Sequence, residues 1–83
     1  MKKKAIILKI LEGLNENSKL LRNSELGITE ELWSEVIQIL IHSDMIFGIN
    51  IRPFGNKGEV SILGVDTAKI SILGIEYLEN NIK

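Results

Sequence analysis

The chain has 83 residues, with ten Lys and Arg against eleven Asp and Glu. That is enough for one small hydrophobic core, with no net field to draw it onto nucleic acid or an anionic membrane. It contains no cysteine, which excludes disulfides, thiol nucleophiles and cysteine-ligated zinc. Hydrophobic residues, mostly Ile and Leu, make up 45% of the chain, and the mean hydropathy of +0.15 is high for so small a domain. Some apolar surface is therefore expected to exceed what one core can cover, which favours a dimer or a partner face.

At the start, Met1 to Lys4 followed by Ala5-Ile6-Ile7-Leu8 imitates a signal peptide. Lys9 and Glu12 break the apolar run and no small-residue cleavage site follows, so the expected location is the cytoplasm. No stretch has the 18 or more apolar residues of a membrane span. From Lys2 to Leu14, Ile6, Ile7, Ile10, Leu11 and Leu14 recur at helical spacing, and Gly13 with the "NENS" of residues 15–18 predicts the end of that helix. Asn23 or Ser24 is expected to cap a single helical turn closed by Gly27. Thr29 then reads as the N-cap of the strongest helix, "EELWSEVIQILIHSDM", with Glu30 and Glu31 in the first turn where the helix dipole favours negative charge.

Phe47, Ile49 and Ile51 alternate with Gly48, Asn50 and Arg52, the period of a strand. Pro53 belongs at a strand end or sheet edge, and "FGNKGE" supplies a turn in which Gly55, Asn56 and Gly58 all tolerate positive φ. "VSILGV" forms the returning strand, and "TAKI" either extends the sheet or leads into the last helix, from about Ile72 to Asn81. The letters "SILG" occur twice, at 61–64 and 71–74, in two different roles. The first copy is strand. In the second, Ser71 is an N-cap, and a core face beginning at Ile72 or Leu73 continues through Ile75, Leu78 and Ile82. Gly74 costs that helix about 1 kcal/mol against alanine, a cost a close approach to a neighbouring element would explain.

The order helix, short helix, helix, hairpin, helix predicts an α+β fold. With a helix-turn-helix at "NSELGITEELWSEVIQIL" and a two-stranded wing behind it, the chain resembles a winged helix: three N-terminal helices, a β-hairpin wing and a C-terminal helix in a single domain, 1–83. "AIILKILEG", "LGITEELWSEVIQILIHSDMIFGI" and "ISILGIEYLENN" together resemble the YjcQ family of small bacterial and phage proteins, from about residue 5 to 81. The resemblance implies a winged-helix fold and a phage or prophage setting. It brings no functional residues with it.

Nothing in the sequence assembles an enzyme. The sole histidine, His42, has only Asp44 nearby, two residues on and off its helical face. An acid–base dyad or a metal site needs more partners than that. Glu30 and Glu31 do not face one another on a helix, and "GNKG" at 55–58 is too short for a P-loop. The expectation is therefore a non-enzymatic protein with no cofactor, no metal and no small-molecule substrate.

Two binding surfaces can be read from the sequence. The central helix places Leu32, Trp33, Val36, Ile37, Leu40 and Ile41 on an apolar core stripe, with Trp33 as core rather than a base-stacking residue. The opposite face presents Glu31, Ser34, Glu35, Gln38 and His42. From Asn23 to Ile51 there is no Lys or Arg, while Glu25, Glu30, Glu31, Glu35 and Asp44 lie inside that span. A helix entering the major groove needs cations for phosphate and Arg, Lys, Asn or Gln for base edges. This one offers only Gln38, so its outward face is expected to meet a protein partner or a second copy. The alternative is a DNA-binding regulator that uses its wing, Arg52, Asn56 and Lys57, and its basic N-terminus, Lys2, Lys3 and Lys4, with Lys19 and Arg22 as further cations in the first connection.

Overall fold

In the computed structural model, residues 2–53 and 60–81 are described. Helix α1 runs over Lys3–Asn17, α2 over Asn23–Leu26 and α3 over Glu30–His42. Strands β1 (Ile46–Phe47), β2 (Asn50–Pro53), β3 (Val60–Leu63) and β4 (Lys69–Ile70) follow, with a 3₁₀ turn at Val65–Thr67, and α4 (Ile72–Asn81) closes the fold. This is the α+β class, with a helix-turn-helix, a hairpin and a C-terminal helix in the arrangement of a winged helix.

The core is built on α1. Its buried stripe of Ile6, Ile7, Ile10, Leu11 and Leu14 packs with Trp33, Val36, Ile37 and Leu40 of α3 and with Leu20, Leu26, Ile46, Ile49, Ala68 and Leu78. Helix α1 outlasts its predicted end by one turn. Gly13 lies inside the helix and is buried, because the returning chain passes over it: a Cβ there would stand 3.1 Å from the Lys19 carbonyl oxygen and 3.2 Å from Leu21 Cγ. Ser18, in the left-handed region at φ 53°, terminates the helix instead.

The cap of α2 also differs from expectation. Arg22, not Asn23 or Ser24, holds the N-cap position. Its backbone N–H donates to Glu25 Oε1 at 3.0 Å, so the acid three residues on satisfies the free donor. Thr29 caps α3 as predicted, its hydroxyl accepting the Leu32 N–H at 3.1 Å. The helix stops at His42, three residues before the end of the predicted segment.

The stretch read as one continuous strand is two. Gly48, at φ +80°, breaks the alternation between β1 and β2, and the Thr67 backbone fills the space a side chain would need. Each half then finds its own partner. β1 pairs antiparallel with β4, Ile46 opposite Ile70 and Phe47 opposite Lys69. β2 pairs antiparallel with β3, from Asn50 opposite Leu63 to Pro53 opposite Val60. The "TAKI" segment thus makes a second small sheet, and only the β2–β3 hairpin is wing.

Candidate interaction surface

The residues that join the sheets to the last helix are tied together by Ser71. Its N–H donates to the Met45 carbonyl at 2.9 Å and its hydroxyl donates to the Asp44 carbonyl at 2.5 Å. The same hydroxyl accepts the Gly74 N–H at 3.1 Å, which makes Ser71 the N-cap that the sequence predicts. Asp44 and Met45, in the turn after α3, therefore fix the start of α4. The Thr67 hydroxyl closes the other side, 2.7 Å from the Gly48 carbonyl and 3.0 Å from that of Gly64.

Gly74 explains how close these elements come. A Cβ at this position would overlap the Met45 carbonyl oxygen and stand 2.8 Å from Ile70 Cγ1. The glycine itself is the contact, and it sets the rotation of α4. Gly74 and Leu78, four residues apart, face the core, with Ile75 and Tyr77 half-buried beside them. Ile72 and Leu73, predicted to begin the core face, instead project into solvent with 74% and 53% of their surface exposed. Ile82 lies outside the described residues.

Phe47 (56% exposed) and Leu63 (40%) are the other large exposed apolar side chains among the described residues. All four belong to segments that this junction joins: β1, the end of β3 and the first turn of α4. Phe47 is two residues from Met45, against which α4 begins, and it points away from its buried neighbour Ile46. Leu63 precedes Gly64, where a Cβ would stand 3.0 Å from the Gly48 carbonyl oxygen. The sequence signals this surface only through its surplus of aliphatic residues. It does not give the location, because glycine, the residue that decides which side of α4 packs, carries no hydropathy of its own.

The predicted outward face of α3 is where the sequence places it. Glu31, Glu35 and His42 are exposed, and Ser34 and Gln38 are half-buried. Gln38 Nε2 turns back to the Ser34 carbonyl of its own helix at 3.3 Å. Lys3 Nζ lies 2.7 Å from Glu35 Oε1, an exposed ion pair that joins the basic N-terminus to the acidic helix face. The two surfaces read separately from the sequence are thus neighbours, and one cation of the first is engaged by the second.

The other predicted nucleic-acid contacts and the cations of the first connection are placed as follows. Lys2, Lys4 and Arg52 are exposed, and Asn56 and Lys57 lie outside the described residues. Lys19 Nζ lies 2.6 Å from Glu25 Oε2. That ammonium, then the Arg22 backbone N–H, holds the Glu25 carboxyl below its ordinary value. The Arg22 guanidinium sits 5.1 Å from the centroid of the Trp33 ring, an attractive cation–π arrangement. Trp33 is core, only 4% exposed, and its indole N–H donates to the Leu21 carbonyl at 2.8 Å. No helix among the described residues is long and apolar enough to cross a membrane.

The family model described as YjcQ protein matches residues 4–83, nearly the whole chain and every element described above. The chain belongs to the YjcQ family. No curated protein and no solved structure matches it. The YjcQ-family match takes in both surfaces, the acidic face of α3 and the apolar junction of β1, β3 and α4.

Proposed function

We propose that this YjcQ-family chain is a non-enzymatic binding module that works by protein–protein contact, with the junction around Phe47, Leu63, Ile72 and Leu73 as its contact surface. One observation carries the reading. The large apolar side chains that the described residues leave exposed all lie on segments that meet where α4 begins, beside a core of fifteen buried hydrophobic residues. Scattered single exposures are ordinary on a soluble surface, whereas a gathered group marks a place where another apolar surface docks. The α3 face, half acidic and partly paired with Lys3, contributes charge at a distance rather than buried area.

The test is affinity capture from the native host by the wild-type chain and by the Ile72→Asp, Leu73→Asp double variant. Both side chains are exposed, so the variant is expected to keep its circular dichroism spectrum and to lose the proteins the wild type retains. Identical sets of captured proteins from the two chains would sink the proposal.

A further inference from the structure

From the charges that accompany the exposed apolar side chains, and resting on the reading of the junction as a contact surface, we infer that its occupant is a basic apolar segment of another protein, in which Leu, Ile or Phe side chains are flanked by Lys or Arg. The apolar side chains mark the place where a partner docks. The charges beside them set the sign of that partner, because charges at the rim of an interface select their opposites and reject their own kind.

Every exposed apolar side chain of the junction has an exposed acid three or four positions away in the chain. Asp44 precedes Phe47, and its carbonyl accepts the Ser71 hydroxyl at the start of α4. Asp66 follows Leu63 in the 3₁₀ turn, whose last residue, Thr67, donates to the carbonyl of Gly48, the neighbour of Phe47. On α4, Glu76 stands one turn beyond Ile72 and Leu73, and Glu79 two turns beyond Ile72, so both continue the helix side on which those residues are exposed. None of these acids takes part in an ion pair among the described residues, where the pairs formed are Lys3–Glu35 and Lys19–Glu25. Two exposed cations stand against them. Lys69 is the register partner of Phe47, and Arg52 is two residues from Asn50, the register partner of Leu63, and so on the Leu63 face of the hairpin. The cations of the other surface, Lys2, Lys4 and Lys9, belong to α1 and its N-cap, which expose no large apolar side chain. The rim is therefore acidic on balance. A nucleic acid or an anionic bilayer would meet its own sign there, whereas a segment that sets Lys or Arg beside its apolar side chains satisfies both parts of the surface.

A display library of random-sequence peptides, selected on the full chain, reads this preference directly. Counter-selection on the Ile72→Ser, Leu73→Ser variant removes the apolar contact without altering charge, so peptides held by charge alone bind both chains and are discarded. The sequences that remain should combine Lys or Arg with large apolar residues and contain few Asp or Glu. A labelled peptide made from them should bind the Asp66→Lys, Glu76→Lys, Glu79→Lys variant about tenfold or more weakly than the wild type, the combined effect of reversing exposed charges that each contribute modestly. Its affinity should also fall as salt is added. Changing its Lys and Arg to Glu should reverse the preference, giving tighter binding to the charge-reversed variant than to the wild type.

Selected peptides that are neutral or acidic overturn the basic occupant, as does equal binding to the wild type and the charge-reversed variant. In either case the peptides still depend on Ile72 and Leu73, so the contact surface stands with an occupant of different chemistry. A library in which no sequence distinguishes the wild type from the Ile72→Ser, Leu73→Ser variant also overturns it, and the capture experiment then decides the underlying reading. Captured proteins that are lost in the Ile72→Asp, Leu73→Asp variant keep the contact surface. Captured proteins that are unchanged in that variant remove both.

Discussion

Gly74 decides more than any other residue which side chains of α4 are left outside. A helix-interior glycine ordinarily improves on replacement by alanine, by about 1 kcal/mol. Here the added methyl would run into the Met45 carbonyl oxygen, which is backbone and cannot step aside, and into Ile70 Cγ1 at 2.8 Å. Overpacking of this kind costs about 1–3 kcal/mol, which exceeds the helical gain. Gly74→Ala is therefore expected to destabilise the protein, with a lowered midpoint in urea, and an unchanged or raised midpoint would show that α4 can be displaced without cost. The cap at Ser71 was legible in the sequence, as was the need for a close approach at Gly74. The exposure of Ile72 and Leu73 was not. Periodicity ranks positions by hydropathy, and it has no way to register a face whose central contact is a missing side chain.

Among the elements, the helices could be read from the sequence and the sheet connections could not. Thr29, the two acids after it and the stripe from Trp33 to Leu40 all specify α3 independently, and they agree. The alternation from Phe47 to Ile51 also pointed one way, yet the chain is cut at Gly48 by a contact from Thr67, nineteen residues further on. No local window contains that contact. Helix α2, a single turn, depends on its ends more than the longer helices do. Glu25 accepts from the Arg22 N–H and pairs with Lys19, and both interactions hold its carboxyl below the ordinary value of 4.5. A group whose folded pKa is depressed contributes stability that is present above its unfolded pKa and is lost as the pH falls through the folded one. Acid unfolding below pH 4.5 should therefore include a Glu25 component. Glu25→Gln is expected to make that limb shallower when denaturant midpoints are measured down the acid range. An identical limb in both proteins would show that the Lys19 pair is too well solvated to contribute.

For the whole molecule, the distribution of charge matters more than the winged-helix arrangement, because fold alone does not assign function. Phosphate binding needs cations that are free to replace condensed counterions, and each one contributes to the salt dependence of affinity. In this chain Lys3 faces Glu35, Lys19 faces Glu25 and Arg22 lies over Trp33. Each would have to leave a favourable partner before meeting DNA. The helix that a helix-turn-helix would send into the groove carries Glu30, Glu31 and Glu35 and no Lys or Arg, so docking it there would set carboxylates against phosphates. The net charge of −1 adds no long-range attraction. Titrating a labelled duplex with the full chain should accordingly show no binding at about 50 mM salt, a condition in which even non-specific binders associate measurably. Binding that appears there and weakens steeply as salt is added would mean that Lys2, Lys4, Lys9, Arg52 and Lys69, the exposed cations among the described residues outside those contacts, suffice to grip the backbone. The function would then pass from the apolar junction to the wing and the N-terminus.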